Sequence, residues 1–188
     1  VTQCKTSCAA GTAVLEKNKA CAVLSGAKYK TGTALVNYGS LSPTATDITS
    51  GWAVGTVYSC PSSYGISGTA AANHDARTDC TISCPAGTQV ASENATCTTP
   101  SGTTWYTSGH SVAAGSTSGS NVKSCNSGYT TPNTTTQSDH DAAADCKISC
   151  EAGYYVPNAG QGCKICAAGK YCTGASNVAQ TATLAATG

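Results

Sequence analysis

The chain of 188 residues contains no Phe, no Met and only two Trp, Trp52 and Trp105. A sequence this poor in large apolar side chains cannot build a deep hydrophobic core, so part of its folding free energy must come from elsewhere. Charge is also scarce: ten Lys and Arg stand against nine Asp and Glu, for a formal net charge of +1. The absence of a basic run argues against nucleic acid or an anionic membrane surface as partner, because both require clustered cations. No apolar run approaches the ~20 residues of a membrane-spanning helix, so no membrane span is expected in this chain. With neither an initiator Met nor a signal-peptide pattern, the chain is expected to be a processed mature form or a fragment. No Gly-x-Gly-x-x-Gly or Gly-x-Ser-x-Gly motif is present and no paired carboxylates stand out. An enzyme is therefore not expected, and neither is a cofactor.

What the chain has in abundance is cysteine, with 13 residues. Three times it repeats one ruler, Cys-x3-Cys-x12-Cys: Cys4/Cys8/Cys21, Cys80/Cys84/Cys97 and Cys146/Cys150/Cys163. A spacing held three times marks one reused unit. Cysteine used this densely in small modules points to an oxidising compartment, and each native bridge typically adds ~2–4 kcal/mol. Extracellular or cell-surface localisation, by secretion, is inferred on this ground.

The repeat extends past the cysteines. Ser7, Ser83 and Ser149 precede the second Cys; Gly11, Gly87 and Gly153 follow it by three; Val14, Val90 and Val156 follow it by six. A Gly turn leading into a short strand with an inward Val accounts for this pattern. A Thr/Ser/Gly-rich stretch then runs to a fourth cysteine, Cys60 or Cys125, with Tyr64 and Tyr129 four residues later. The string His74-Asp75-Ala76-x-x-Asp79 precedes Cys80, and His140-Asp141-Ala142-x-x-Asp145 precedes Cys146. The predicted organisation is unit one over 4–79, unit two over 80–145, a truncated unit three over 146–174 and a tail or linker over 175–188. The tail's small, β-tolerant residues also suit a strand added to a neighbouring subunit.

The fold class expected is mostly β, in small disulfide-rich modules arranged as an elongated tandem repeat with short strands and long loops. Residues 33–38, 52–58 and 103–107 have strand-type content, and 14–23 is the only helix-friendly piece. With nine Tyr and no Phe, the aromatic rings are expected at half-exposed positions where a hydroxyl finds water.

Two pairings suit the repeated cysteines. In one, the second Cys joins the third (Cys8–Cys21, Cys84–Cys97, Cys150–Cys163) and the fourth joins the next unit's first (Cys60–Cys80, Cys125–Cys146), leaving Cys4 over. In the other, the first joins the third (Cys4–Cys21, Cys80–Cys97, Cys146–Cys163) and the second joins the fourth (Cys8–Cys60, Cys84–Cys125), leaving Cys150 over. The first is favoured because each bridge closes a short loop and the last staples adjacent units. Cys166 and Cys172 occur together in unit three and are both missing from the aligned positions of the other two, so they are read as partners.

At Cys84-Pro-Ala-Gly-Thr and at Cys163-x2-Cys166-Ala-Ala-Gly-Lys-Tyr-Cys172 the chain resembles the cysteine-rich repeats of growth-factor-receptor, ephrin-receptor-like and tumour-necrosis-factor-receptor-like ectodomains, as in protist or bacterial cysteine-rich surface proteins. The resemblance implies an elongated, disulfide-laddered extracellular rod without catalytic residues. In that family the Cys-Pro-x-Gly-Thr loop closes on the next Cys of the ruler, which supports the first pairing. Units one and two depart from the family in lacking the Cys-x2-Cys pair and in carrying long Thr/Ser-rich inserts.

Asn94-Ala-Thr96 and Asn133-Thr-Thr135 match the N-glycosylation pattern, so covalent glycans are expected at Asn94 and Asn133 where the source makes them. The recurring His/Asp strings are read as turns whose Asp accepts backbone N–H bonds, not as metal ligands. Cys163-x2-Cys166 lacks the second half of a zinc site, and no metal is expected. The function expected is structural: a subunit of an extracellular fibre, coat or stalk that self-assembles through contacts between like units, so that its partners are copies of itself. The inserts at 33–58 and 103–122, the chain ends and Cys4 as an intersubunit cysteine would carry it. The alternative is a receptor or adhesin ectodomain binding a protein or glycan through an exposed aromatic patch of Trp52, Trp105 and Tyr106.

Overall fold

The computed structural model describes residues 4–46, 53–119 and 122–181; Trp52 and the end of the tail lie outside them. The described residues are mostly β: fifteen strands of two to five residues form six two-stranded sheets and one three-stranded sheet. Strand pairs this short are marginal in water on their own. Six disulfides supply what the ladders lack: Cys8–Cys21, Cys60–Cys80, Cys84–Cys97, Cys125–Cys146, Cys150–Cys163 and Cys166–Cys172. The second cysteine of each ruler therefore joins the third, the fourth joins the next unit's first, and Cys4 is free and exposed.

Each repeat opens with the same four-residue strand, Lys5–Cys8, Thr81–Cys84 or Lys147–Cys150. Its antiparallel partners are Ala34–Asn37, His110–Ala113 and Ala175–Ala179. The last of these lies in the stretch that the sequence suggests is tail or linker, and its pairing is within the chain. Its Val178 faces Ile148 in the register and is buried, like Val36 and Val112 of the other repeats. A second small ladder follows in each repeat: Thr12–Ala13 with Ala22–Val23, a single bridge Gln89 to Thr98, and Tyr154–Tyr155 with Lys164–Ile165.

Gly11, Gly87 and Gly153 turn the chain between these ladders at φ of 69°, 73° and 92°, a region that disfavours a Cβ. Val14, Val90 and Val156 then point inward and are buried. The cores are correspondingly small and divided. Cys8, Val14 and Val36 form one cluster with Cys21 packed against it, and Cys150, Val156 and Val178 form its counterpart with Cys163. In both, a disulfide is itself a core residue. The chain divides into two compact units, one of residues 1–83, 92–96 and 111–117, the other of residues 84–91, 97–110 and 118–188.

Two expectations are corrected. Residues 14–23 form no helix but a loop that ends in strand Ala22–Val23, because Cys8–Cys21 closes across it. The tyrosines are not uniformly half-exposed: Tyr29, Tyr58, Tyr64, Tyr106 and Tyr129 are buried, while Tyr38, Tyr154 and Tyr171 are exposed. In modules this thin, a buried ring has polar backbone at its edge. The hydroxyls of Tyr64 and Tyr129 donate to the carbonyls of Ala95 and Gln161, and that of Tyr58 accepts from the Ala53 N–H. Phe would leave those groups without a partner.

Candidate functional site

The feature that the chain builds twice with the same parts is the junction between one repeat and the next. It begins at the fourth cysteine. Cys60 is bridged to Cys80, and five residues on, Gly65 exchanges two backbone hydrogen bonds with Thr81 (2.9 and 2.8 Å). Cys125 is bridged to Cys146, and Thr130 exchanges two with Lys147 (3.0 and 2.8 Å). Between these two fastenings stands the tyrosine. Tyr64 is 4% exposed and its hydroxyl donates to Ala95 O at 3.1 Å; Tyr129 is 1% exposed and donates to Gln161 O at 2.8 Å. Ala95 and Gln161 occupy the same place in the loop between the second and third cysteines of the following repeat. Burial pushes the hydroxyl pKa of both tyrosines up. A covalent bond, a short ladder and an anchored ring thus fasten each junction.

The His/Asp strings lead into it as paired 3-10 turns, Ala71–Asn73 with Arg77–Asp79 and Gln137–Asp139 with Ala143–Asp145. The sequence reads these strings as turns whose Asp accepts backbone N–H bonds, and the structure makes each string a pair of 3-10 turns. Asp79 Oδ2 accepts from the Ala76 N–H at 2.8 Å, and Asp145 Oδ2 accepts from the N–H groups of Asp141 and Ala142 at 3.0 and 2.8 Å. His74 and His140 are buried plugs. His74 Nδ1 lies 2.7 Å from Lys28 O, and His140 Nε2 lies 3.2 Å from Thr134 O. Their own carbonyls accept from the Lys30 and Tyr106 N–H groups (2.9 and 2.8 Å). Among the described residues, no group of three or more His, Cys, Asp and Glu could hold a metal ion.

Lys30 and Tyr106 mark a slot that each repeat fills differently. The carbonyls of Lys30, Tyr106 and Cys172 accept from the N–H groups of Gly11, Gly87 and Gly153 (2.9, 3.0 and 2.9 Å), which makes the three positions equivalent. Lys30 is fully buried, and its Nζ donates to the carbonyls of Cys8, Ala9 and Gly32 at 3.2, 2.8 and 2.8 Å. Three acceptors match the three protons of an ammonium group, while burial pulls its pKa down. Tyr106 stacks on His110 and donates its hydroxyl to Gln89 Oε1 at 2.8 Å. Cys172 is bridged to Cys166. The extra disulfide of unit three therefore stands where its siblings place a cation and a phenol.

Other expected sites fall as follows. Tyr106 is buried and Trp105 half-buried, so these residues do not form an exposed aromatic patch; the slot claims the first. His110 Nε2 lies 2.7 Å from Ser118 Oγ, but that oxygen also accepts from the Val90 N–H at 2.7 Å. Ser42 holds the Val14 N–H in the same way at 3.0 Å, so Ser118 is a repeated backbone clamp. Asn94 is half-buried at φ 61°, and its Oδ1 accepts from Arg77 Nη2 at 2.7 Å and the Gly115 N–H at 2.9 Å. Asn133 is exposed. No described helix is long and apolar enough to cross a membrane. Comparison with protein-family models, curated proteins and solved structures finds no match to the chain; what its own architecture shows is a cysteine-rich protein of small disulfide-stapled β modules.

Proposed function

We propose that the chain is a structural subunit of an extracellular fibre, coat or stalk, assembled through contacts between like units, with no catalytic role. The observation that carries this reading is the junction built twice from the same bridge, ladder and tyrosine. A surface reused to join like units suits span and assembly. Six bridges suit an oxidising, extracellular setting, and repeats of the receptor-ectodomain type would share that setting.

Cys4 constrains how copies join. The other twelve cysteines are bridged within the chain. A disulfide between two copies is then Cys4 to Cys4, an isologous contact that closes at a dimer. Growth of residues 1–188 beyond two copies must then be non-covalent.

Negative-stain electron microscopy of the native protein, beside size exclusion and a non-reducing gel, tests the proposal. Filaments that persist in Cys4→Ser are expected. Discrete monomers at all concentrations would overturn it in favour of a receptor or adhesin ectodomain. The opposed, exposed pair Tyr154 and Ile165 is where ligand binding would then be sought.

A further inference from the structure

The first repeat carries the receiving half of a junction. Cys4 sits in the framework of Cys80 and Cys146: the three carbonyls accept from the N–H groups of Tyr38, Ala114 and Gln180, each at 2.8 Å. Lys5 is the counterpart of Thr81 and Lys147, the residues that the incoming Gly65 and Thr130 pair with. The register places Lys5 opposite Asn37, and the Tyr38 bond to Cys4 O makes this a non-hydrogen-bonded pair. The N–H and C=O of Lys5 therefore face away from that strand and toward the edge.

Beside this edge lies a cleft of about 280 Å³ lined by Thr6, Val14, Asn18, Lys19, Val36 and Tyr38, among others. Lys19 is the counterpart of Ala95 and Gln161, the residues whose carbonyls receive the hydroxyls of Tyr64 and Tyr129. In the other two repeats a tyrosine anchored on that loop position is buried; in the first, the corresponding place is an open cleft. Thiol, edge and cleft coincide.

We propose that Cys4, the Lys5 edge and this cleft form a socket for an extended Cys-x3-Tyr-x segment from outside residues 1–188. The tyrosine ring enters the cleft, its hydroxyl donates to Lys19 O, the residue after it pairs with Lys5, and its cysteine bonds to Cys4. A second copy of this chain does not supply the segment, since Cys60 and Cys125 are already bridged. The proposal is independent of filament growth, because it is read on a single molecule.

The test uses a peptide copying residues 59–65, supplied as its mixed disulfide with glutathione. The Cys4 thiolate attacks the peptide sulfur; the Cys4–peptide bond forms, the peptide–glutathione bond breaks, and glutathione leaves as thiolate and takes up the proton that Cys4 gave. Intact-mass analysis and peptide mapping read the equilibrium yield and the cysteine used. Burial of one ring favours exchange roughly tenfold or more over the same peptide with Tyr64→Ala. A second arm removes the covalent bond: the peptide with Cys60→Ser, titrated into Cys4→Ser protein, is expected to shift the Lys5 and Lys19 amide resonances. Equal exchange constants for the two peptides, modification at another cysteine, or unmoved Lys5 and Lys19 resonances would each overturn the socket.

Discussion

Replacing Lys30 by Met separates the contribution of a buried cation from that of the bulk it occupies. The ammonium donates to three carbonyls, those of Cys8, Ala9 and Gly32. Hydrogen bonds to a charged group make a net contribution of about 1.5–3 kcal/mol each. The Ala9 carbonyl keeps Thr12 as a donor and the ladder gives that of Cys8 the Ala34 N–H, so the loss falls mainly on the Gly32 carbonyl. The expected cost is about 2–4 kcal/mol, one full bond and the weakening of two others. Guanidinium unfolding with disulfides intact measures the total, and hydrogen exchange of the amides around Lys30 shows whether it is local. Exposed Lys19, changed to Met, is the control and is expected to stay within about 0.5 kcal/mol. Because burial lowers the Lys30 pKa, the unfolded state holds its proton more tightly. Stability should therefore rise with pH between that lowered value and the ordinary 10.5, and the rise should vanish in Lys30→Met. A neutral or stabilising Lys30→Met would refute the account.

Burial raises the hydroxyl pKa of Tyr64, Tyr106 and Tyr129, so their favourable contribution is complete below pH ~10 and fades as the pH climbs through the raised values. Absorbance titration at 295 nm should lack their share of the nine-tyrosine step near pH 10, recovering it on reduction and denaturation; a full native step would contradict this. Gly11→Ala and Gly87→Ala would place a Cβ over the carbonyl oxygens of Ala71 and Gln137, whereas Gly153→Ala meets nothing. All three pay for positive φ, but the first two should lose roughly 1–3 kcal/mol more in denaturant unfolding, and equal losses would count against the turn packing. Produced in an N-glycosylating host, the protein should carry glycan at exposed Asn133 and little at Asn94, whose amide is engaged by Arg77 and Gly115; glycopeptide mapping decides.

Spacing made the modules legible because a bridge, a Gly turn and an inward Val are local consequences of residue type. Val14, Val90 and Val156 sit where the pattern puts them, and all are buried. The strand Ala175–Ala179 was harder to see, since its residues are small and only Val178 is fully buried. A signal existed all the same: Val36, Val112 and Val178 stand 28 residues after Cys8, Cys84 and Cys150. The slot of Lys30, Tyr106 and Cys172 was hidden for the opposite reason. Alignment on the third cysteine already sets the three side by side, nine residues after Cys21, Cys97 and Cys163, but the slot's occupants share a place and no chemistry, so only the backbone bonds from Gly11, Gly87 and Gly153 show what the place is. The receiving socket required the cleft itself, because a free Cys4 alone does not show where a tyrosine would go.

Every bridge joins cysteines that are consecutive in the chain once Cys4 is set aside, none more than 21 residues apart. No bridge interleaves with another. A chain oxidised as it emerges N-terminus first can close each one before the next cysteine pair arrives, without isomerase having to reopen earlier ones. That order depends on a reading frame, and Cys4 alone can shift it: joined to Cys8, it would send Cys21 toward Cys60 and put Cys80 against Cys84. An early partner for Cys4 would thus hold the phase in which the cysteines after it pair.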